Sequence, residues 1–439
     1  MSLLVDAPTP SVVHPPAPVN LAEAGLTLDL VVQLVVKTLH FAGELTGSDI
    51  ASRIGLNFPV VEPAIDELIR QHHCEIVGGA MVGRASYRYR ITDGGRARAV
   101  LFLEDNHYVG VAPVPVAEYR RYMSQVKATM TTKATRARIR DAFSHLVISD
   151  HVVDQLGPAI NARHSMFVYG PPGNGKTVIS QAIRNVLDGE IAIPHAIEVE
   201  GSIIRIFDPV IHEPVPQEGR GDKLDGGARP DARWVRCRRP MVMVGGELRL
   251  ESLDLFRNAG FYRAPVQTIA NGGVLVIDDF GRQQCTPREL LNRWIVPLES
   301  RMDFLTLASG QKIELPFDVL VVFATNLQPS SLVDEAFLRR IQYKIFAQGP
   351  TRPEFDTIFK NCCRDEGIAF DPAMVDHLVV NWHEARNMPF RGCHPRDLIK
   401  QALALAEYLG RPRALTPELL DGACHGYFVH EESSVEETK

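Results

Sequence analysis

Apolar residues spaced three and four positions apart predict helices in the first part of the chain. The spacing begins at Leu28 and continues to Ala42, and Gly43 supplies a stop signal. A second, shorter helix is predicted over Ser48 to Ile54, with Ser48 as its N-cap. A third is predicted over Pro59 to His72, where one face is apolar. Three helices are therefore expected within about fifty residues.

The period then changes from helical spacing to strict alternation. Tyr87, Tyr89 and Ile91 alternate with arginines after a glycine-rich stretch, which predicts a β-hairpin. Three helices followed by a hairpin resemble a winged helix-turn-helix domain, here over residues 21–112. In that family the third helix enters the major groove of DNA. In this sequence that helix is rich in acidic residues, and the arginines lie on the hairpin and beyond it, which favours a protein-contacting module over a DNA reader.

Two segments beside this domain are predicted to be connections. Residues 1–20 contain five prolines, which disfavour helix, so a flexible tail is expected. Residues 113–145 form a basic linker, interpreted as a solvated helical connector; an arm that contacts phosphates is the alternative. At the other end, residues 431–439 form an acidic tail.

A buried-strand pattern at Met166 to Tyr169 leads directly into a glycine-rich loop and an amphipathic helix. The loop reads GPPGNGKT and fits the phosphate-binding motif GxxxxGK[ST] in full. Its glycines let backbone N–H groups surround phosphate oxygens at the positive end of the helix. Lys176 is expected to reach the β- and γ-phosphates, and Thr177 to bind Mg²⁺. The predicted nucleotide-binding residues are Gly170, Pro171, Pro172, Gly173, Asn174, Gly175, Lys176, Thr177 and Val178.

A second buried-strand pattern, from Gly273 to Ile277, ends in two carboxylates. Asp278 is the expected magnesium ligand, directly or through water. Asp279 stands where a base that activates water is needed. The residue usual at this place is Glu, and the shorter Asp side chain predicts slow hydrolysis or a different geometry.

A third strand pattern, from Val319 to Ala324, is followed by Asn326, whose amide could orient the attacking water. Further along come the sequences VDEAFLRRI and HPRDL. Together these motifs resemble the AAA+ ATPase family over about residues 146–425. Asn326 matches sensor 1, Arg339 and Arg340 lie in the arginine-finger segment, and Arg396 matches sensor 2.

The resemblance implies the fold and the assembly. It implies a P-loop α/β fold, in which a parallel sheet flanked by helices spans residues 146–346 and a helical lid spans residues 347–430. It also implies a homo-oligomeric ring, with a hexamer favoured, in which an arginine of one subunit completes the site of the next. Arg340 matches the finger position best, and Arg339 is the alternative.

Two further features indicate a branch of this family. An insertion of about residues 196–262 separates the two phosphate-site motifs, and Met302 to Pro316 resembles the pre-sensor 1 hairpin. The GAFTGA loop of transcriptional activators in this branch is absent, so MoxR-like, chaperone-type ATPases are the nearest group. The apolar residues Ile203 to Phe207 and Gly260 to Tyr262 either face a client in a ring pore or pack inside the insertion, and packing is favoured.

Composition sharpens this picture. A chain of 439 residues predicts about three folding units. The net charge of the chain is −6, but residues 84–140 are locally basic, because they hold twelve Lys and Arg against four Asp and Glu. Nucleic acid could therefore bind only in that segment. Seven cysteines without a CxxC pair predict inert thiols in a reducing compartment, and the lack of a long apolar run predicts a cytoplasmic protein without a membrane span.

Three functional hypotheses remain. The first is an ATPase that uses ATP and Mg²⁺ to remodel or assemble a protein client. The second is a DNA-associated ATPase or a transcription-linked regulator that uses the winged helix and the basic linker. The third, suggested by Asp279, is a scaffold that binds ATP but scarcely hydrolyses it.

Overall fold

The structure is a computed structural model, and it describes residues 14–79, 83–129, 133–187, 189–216 and 229–428. Residues 1–13 of the predicted tail and the whole acidic tail, 431–439, lie outside the described residues. The described chain has an α/β fold, with a parallel sheet flanked by helices and a C-terminal helical region.

The first described segments, residues 14–129, alternate helices with short strands. The helices are α1 (Leu21–Ala24), α2 (Leu28–Ala42), α3 (Gly47–Ile54), α4 (Phe58–Arg70), α5 (Asp93–Asp105) and α6 (Val116–Thr129). The strands are β1 (Glu44–Thr46), β2 (Cys74–Gly79), β3 (Tyr87–Ile91) and β4 (Val114–Pro115), and a 3₁₀ turn lies at Arg84–Ser86.

The middle of the chain carries most of the strands. The helices are α7 (Arg136–Ala142), α8 (Asp150–Ala162), α9 (Lys176–Leu187), α10 (Val266–Ile269) and α11 (Pro287–Ser300), with a 3₁₀ turn at Leu250–Leu253. The strands are β5 (Met166–Tyr169), β6 (Glu190–Pro194), β7 (Ala196–Val199), β8 (Ser202–Arg205), β9 (Trp234–Arg238), β10 (Met241–Val244), β11 (Phe256–Asn258), β12 (Phe261–Arg263), β13 (Val274–Ile277), β14 (Met302–Thr306), β15 (Lys312–Pro316) and β16 (Leu320–Thr325).

The last segment is helical except for one strand, β17 (Tyr343–Phe346). Its helices are α12 (Pro329–Leu332), α13 (Glu335–Arg340), α14 (Arg352–Asp365), α15 (Pro372–Leu378), α16 (Cys393–Tyr408) and α17 (Pro417–Tyr427), with a π-helical turn at Val379–Glu384. Among the described helices, none is both long enough and apolar enough to cross a bilayer.

The parallel sheet has the strand order β10-β13-β16-β5-β17. In β16 and β17 the residues Val322 and Tyr343 both pair with Met166 of β5, so two strands align with the strand that enters the glycine-rich loop. The three strands predicted from apolar runs at residues 166–169, 273–277 and 319–324 are confirmed in this sheet. Their buried faces explain why the sequence shows continuous apolar runs there and no alternation.

By its internal contacts the chain divides into two compact units. The first contains residues up to 133, together with 187–277 and 282–321. The second contains residues 134–186, 278–281 and those from 322 onward. Each unit is described below by itself.

In the first unit, the predicted order of three helices and a hairpin is present. Helix α2 matches its predicted bounds, and Gly43 follows it with a φ of 78°. The predicted cap at Ser48 is wrong: Thr46 caps α3, because its hydroxyl accepts from Asp49 N while the Asp49 side chain bonds back to Thr46. A third strand completes the hairpin, giving an antiparallel sheet of order β1-β3-β2.

Within the predicted basic linker, residues 113–145, helix α6 is not a solvated connector, because it buries one face. Tyr119 is buried, and its hydroxyl accepts a hydrogen bond from Asn271 Nδ2 at 3.0 Å. The Tyr122 hydroxyl accepts from Ala192 N at 2.7 Å, and burial raises its pKa to about 12. The buried residues of this face are Tyr119, Tyr122, Met123 and Val126. Their spacing of three, one and three residues is the signal in the sequence that marks the face as internal.

The insertion strands β11, β12, β8 and β7 form a second sheet with β4 at its edge, and the insertion shares a hydrophobic core with the N-terminal helices. Ala196 and Ile203 belong to the same buried cluster as α2, α3 and α4. Phe261 packs edge-on against Tyr108, with 5.7 Å between ring centroids. The apolar residues considered for a ring pore are therefore packed inside this unit, as the favoured alternative expected.

One apolar run near the end of the insertion forms two strands in different sheets. The apolar run from Trp234 to Val244 is interrupted at Pro240, which has no N–H to donate. Strand β9 before the break pairs antiparallel with β6, whereas β10 after it pairs parallel with β13, Met241 opposite Val274. The predicted insertion boundary of 196–262 is thus wrong in part, because β10 belongs to the central sheet.

A buried ion pair of the insertion lies against the N-terminal helices. Arg233 and Asp231 are both buried, and Arg233 Nη2 lies 2.8 Å from Asp231 Oδ2. Arg233 Nη1 also donates to Ala24 O at 2.9 Å. Nearby, Ala17 N donates to Arg229 O at 2.7 Å, so part of the predicted flexible tail is hydrogen bonded to the insertion.

In the second unit, the C-terminal helices α14 to α17 surround one apolar core. His383 and His394 lie next to this core among aromatic rings, with 5.2 Å between their ring centroids. Both histidines are buried. A helical region therefore occupies the range that the sequence predicted for the lid.

Candidate nucleotide-binding site

The glycine-rich loop between β5 and α9 lies in the second unit and depends on glycine at two of its positions. Gly170 and Gly173 have φ of 146° and 83°. A Cβ at Gly170 would lie 2.5 Å from Ala347 O, and one at Gly173 would lie 2.4 Å from Cys393 Sγ. Larger residues would therefore be strained and would clash. Gly175, with φ of 73°, has open space around it.

The loop leads into the N-terminus of α9, where Lys176 and Thr177 stand in the first turn. Lys176 is buried, and its Nζ donates to Pro171 O at 2.8 Å, which folds the side chain back along the loop. Burial lowers the pKa of Lys176, while the charges of Asp279 and Asp278 oppose that shift. A cation beside free N–H groups at a helix N-terminus is a suitable environment for phosphate.

The structure brings Thr177 and Asp278 together. Thr177 Oγ1 donates a hydrogen bond to Asp278 Oδ2 over 2.9 Å. Hydroxyl and carboxylate oxygens are the ligands that Mg²⁺ prefers in sites where it also binds phosphates. The two residues present therefore fit a magnesium ion.

Asp279 and Asn326 form a second pair in the same unit. Asn326 Nδ2 donates to Asp279 Oδ1 at 3.2 Å. Asp279 has φ of 48°, a left-handed conformation that Asp tolerates better than most residues. The backbone beneath the pair is held by Phe280 N, which donates to Ala324 O at 2.7 Å. A carboxylate and an amide thus lie side by side at the carboxyl end of β16.

A pocket adjoins the loop within this unit. Its lining is mainly apolar, with a few polar groups, as expected for a site that receives a flat ring. The lining residues are Val147, Ile148, Ser149, Val152, Asn174, Ile179, Ala347, Gln348, Gly349, Pro350, Glu354, Ile358 and Gly392. Sequence reasoning missed the members outside the loop motif, because they come from four separate stretches of chain.

The C-terminal helical region contacts the loop directly. Cys393 N, at the start of α16, donates to Gly173 O at 2.9 Å. Asn174 Nδ2 donates to Ala347 O at 3.2 Å, just after β17. Val178, which was predicted to bind nucleotide, is 39% exposed. The loop is therefore held from two sides by residues that follow the last strand of the sheet.

The predicted arginines lie in two places. Arg339 and Arg340 are in the last turn of α13, where Arg339 Nη2 lies 2.9 Å from Glu335 Oε1. The guanidinium of Arg340 lies 5.9 Å from the ring centroid of Phe337. Arg396 is on α16, where its Nε donates to Asp397 at 2.8 Å and 60% of its side chain is exposed. Sequence reasoning missed Arg391, whose Cδ lies 3.6 Å from the Cβ position of Gly173.

The basic residues of 84–140 are mostly paired within the protein. Arg88 and Arg90 both bond Glu44, at 2.7 and 2.9 Å, and Arg84 bonds Glu62 and Asp66. Further along, the pairs are Arg120 with Glu314 O, Arg136 with Asp154 and Arg140 with Asp150. Five of these arginines are therefore paired with the protein's own carboxylates, whereas Arg120 bonds a backbone carbonyl.

A family model described as a domain of unknown function (DUF8689) matches residues 351–426, the range that contains α14 to α17. A comparison with curated proteins found no match.

Among solved structures, the chain is similar to NtrX from Brucella abortus in complex with ATP, at 16% identity and a TM-score of 0.39. That match covers 71% of this chain and 63% of NtrX, so the chain spans less than two thirds of that protein's length. It is also similar to the Thermotoga maritima RuvB Holliday junction branch migration motor, at 14% identity and a TM-score of 0.37, covering 63% of this chain and 68% of RuvB. Similarities this weak do not assign a function.

Proposed function

We propose that this chain is an AAA+ ATPase that binds ATP with Mg²⁺ and hydrolyses it to drive remodelling or assembly of a protein client. The observation that carries the proposal is the hydrogen bond of 2.9 Å between Thr177 and Asp278. It joins the end of a complete GxxxxGK[ST] loop to the first carboxylate after a buried parallel strand, which is the arrangement that a nucleotide-bound magnesium ion requires.

The residues around this pair bind different parts of the nucleotide. Backbone N–H groups of the loop and Lys176 bind the phosphates, and the pocket lined by Val147, Ile179 and Pro350 takes the base. Bound Mg²⁺ would neutralise part of the phosphate charge, and Thr177 and Asp278 would hold the ion.

Asp279 and Asn326 act on the water molecule. The Asp279 carboxylate accepts a proton from the attacking water, and the Asn326 amide, 3.2 Å from that carboxylate, keeps both in place. Because Asp is shorter than Glu, the rate is expected to be modest. A rate close to zero would instead favour the hypothesis of an ATP-binding scaffold.

The arginines at the end of α13, of which Arg339 is exposed and Arg340 is half-buried, suit contact with another subunit. Arg339 is 78% exposed, and α13 lies after the sensor strand β16, where the AAA+ pattern has its arginine finger. In the proposed ring, Arg340 of one subunit stabilises the negative charge on the phosphates bound by the next. Arg339 takes this role if Arg340 does not.

The N-terminal domain is proposed to be winged-helix-like and to contact protein. The order of helix, strand, two helices and two strands in this domain supports a winged-helix-like fold. Contact with protein is supported by the ion pairs of Arg84, Arg88 and Arg90 with Glu44, Glu62 and Asp66, because a DNA duplex would have to displace these carboxylates. DNA binding is thus the weaker hypothesis, and a gel shift at low salt with random duplex tests it.

Phosphate release from ATP tests the enzymatic part of the proposal. Wild-type protein should release phosphate only with Mg²⁺, and Lys176→Ala should abolish the release because the phosphates lose their buried cation. Lys400→Ala, at an exposed position of α16, is the matched control and should retain the wild-type rate. Equal rates in wild type and Lys176→Ala would reject the proposal.

Trapping the ATP-bound state of the protein tests whether it binds a protein client. Asp279→Asn should bind ATP without hydrolysing it and hold the protein in its ATP-bound state. A protein captured by Asp279→Asn with ATP, and not captured with ADP or by Lys176→Ala with ATP, is the expected client. Capture that does not depend on nucleotide would contradict a client cycle driven by ATP.

A further inference from the structure

Strand β11 (Phe256–Asn258) is an exposed edge of the insertion sheet. The order of that sheet is β11-β12-β8-β7-β4, so within the described residues β11 pairs on one side only. The opposite edge, β4, is protected, because Val114 is buried and Pro115 has no N–H to donate. All three residues of β11 are exposed. An unpaired strand edge presents backbone donors and acceptors to which another strand can bind.

The turn of the β11–β12 hairpin determines which backbone groups face outward. Ala259 and Gly260 both have positive φ, 48° and 83°, as in a two-residue type I′ turn. Asn258 and Phe261 are then the hydrogen-bonded pair next to the turn, and bonded pairs alternate along an antiparallel ladder. The N–H and C=O of Arg257 therefore point away from β12.

The hairpin is fixed by contacts at its turn and on its inner strand. Ala259 O accepts a hydrogen bond from His107 N at 2.9 Å, in the segment that follows α5. On β12, the Tyr262 hydroxyl accepts a hydrogen bond from Ala308 N at 2.9 Å. An edge that is held in place before binding loses little conformational entropy when another strand pairs with it.

The side chains along this edge are apolar and basic. Phe256 is 60% exposed and stands opposite Arg263 of β12, which in turn stands opposite Arg205 of β8. Like charges directly opposite each other on neighbouring strands are unfavourable. Asp208 lies 3.2 Å from Arg263, but among the described residues no carboxylate forms an ion pair with Arg205 or Arg257. The edge therefore carries an excess of positive charge.

We propose that β11 is the docking edge for an extended acidic segment of the protein client, which adds to the insertion sheet as a further strand. The inference rests on the proposed function and names the chemistry of its client. A peptide fits because its backbone can pair with the outward N–H and C=O of Arg257. Acidic side chains complement the arginines, and an apolar side chain opposite Phe256 covers that ring.

Fluorescence anisotropy with the full chain measures this docking, and short labelled peptides are the probes. A peptide of alternating valine and glutamate should bind, whereas the same peptide with lysine in place of glutamate should bind about tenfold more weakly or worse. Arg257→Glu should weaken binding of the valine–glutamate peptide by about tenfold or more, because it reverses a charge at the edge. Arg53→Glu, which reverses an exposed charge on α3, is the control and should leave the affinity unchanged.

Methylation of the peptide nitrogens separates strand addition from simple charge attraction. In the proposed pairing a glutamate stands opposite Arg257 and a valine opposite Phe256, so the peptide bonds through its glutamate N–H groups. N-methylation of the glutamates should therefore abolish binding, and N-methylation of the valines should preserve it, although both peptides carry the same charge. Equal binding of the two methylated peptides would overturn the inference.

Three other results would also overturn it. One is equal binding of the valine–glutamate peptide by wild type and Arg257→Glu. The second is tighter binding of oligothymidylate than of the peptide at this edge, which would identify a nucleic-acid surface. The third is self-association of wild type that Arg257→Glu abolishes, which would identify a second copy of the chain as the occupant.

Phosphate release distinguishes a failure of this inference from a failure of the proposed function. If the peptide does not bind but wild type hydrolyses ATP and Lys176→Ala does not, only the docking edge is refuted. If wild type binds the peptide as described but releases no phosphate, the docking edge stands and the ATPase part of the proposed function fails.

Discussion

The Thr177 hydroxyl donates a hydrogen bond to the Asp278 carboxylate, with 2.9 Å between the two oxygens. The two residues are 101 positions apart in the chain, and their side chains meet because one lies in the first turn of α9 and the other follows β13. Each is ordinary in isolation. Together, beside Lys176, they form the proposed site for a metal-bound triphosphate.

Mixing two inactive variants tests the ring. Lys176→Ala destroys its own site but keeps Arg340, whereas Arg340→Ala keeps its nucleotide site but lacks the finger. Each alone should be strongly impaired, with a loss of about 10³-fold or more for the finger variant. In a mixture, subunits of the first kind complete the sites of the second, so phosphate release should rise above the sum of the separate rates.

The control for this mixture is Arg340→Ala combined with a double variant, Lys176→Ala/Arg340→Ala, which has no finger to offer and should restore nothing. Recovery with Lys176→Ala/Arg340→Ala would contradict the role of Arg340. If Lys176→Ala/Arg339→Ala also fails to rescue, Arg339 shares the role.

Asp279→Asn should separate binding from hydrolysis. An amide cannot accept the proton of water, so hydrolysis should fall by about 10²-fold or more. ATP affinity should stay within a few-fold, because Thr177 and Asp278 are intact. Single-turnover phosphate release and calorimetric titration measure the two effects. A variant that hydrolyses as fast as wild type would exclude Asp279 as the base.

Gly173→Ala should be more harmful than Gly175→Ala. Both glycines have positive φ, so an added Cβ strains both backbones, but only at Gly173 would it lie 2.4 Å from Cys393 Sγ. The thermal midpoint should therefore fall further in Gly173→Ala. Adding Cys393→Ala to Gly173→Ala should recover the part that the clash causes. Equal midpoints for the two single variants would contradict the contact between loop and helix.

Acid should destabilise the C-terminal helical region. Burial, with the nearby His383 and Arg391, lowers the pKa of His394 to about 4, from about 6.5 in an unfolded chain. Between these values the unfolded state binds more protons, so stability is lost as pH falls from about 7 towards 4, by up to about 3 kcal/mol. His394→Phe should flatten this dependence in denaturant titrations, whereas His145→Phe, at an exposed site, should not.

Breaking the buried pair of Arg233 and Asp231 should destabilise the first unit. Arg233→Leu leaves the Asp231 charge buried without its partner, which costs about 3–5 kcal/mol. Arg236→Leu removes a more exposed pair with Glu190 and should cost about 1 kcal/mol or less. Urea unfolding measures both. Similar losses in the two variants would show that burial of the pair is unimportant.

The sequence predicted those parts of the site that lie in continuous motifs. The loop, its lysine and the two carboxylates could be found because backbone geometry and metal chemistry require particular residues at adjacent positions. Arg391 could not, because its place beside Gly173 depends on how a distant helix packs. The pocket lining was missed for the same reason.

The fold, like the site, could be predicted from the sequence in part. Helices and strands with a clear period were predicted well, including the hairpin β14 and β15. The burial of α6 was missed, although Tyr119, Tyr122 and Val126 have the spacing of an internal face. The prolines and basic residues around it favoured a linker, and its partners, Asn271 and Ala192, lie far along the chain.

The most direct test of the proposed magnesium and nucleotide site is magnesium-dependent hydrolysis of ATP by two variants of Thr177. Thr177→Ser keeps the hydroxyl that faces Asp278, whereas Thr177→Val keeps the shape and removes the oxygen. Thr177→Ser should stay within about tenfold of wild type, and Thr177→Val should lose about 10²-fold or more, since a metal ligand is gone. Equal activity of Thr177→Val and wild type would contradict the magnesium-binding role of Thr177.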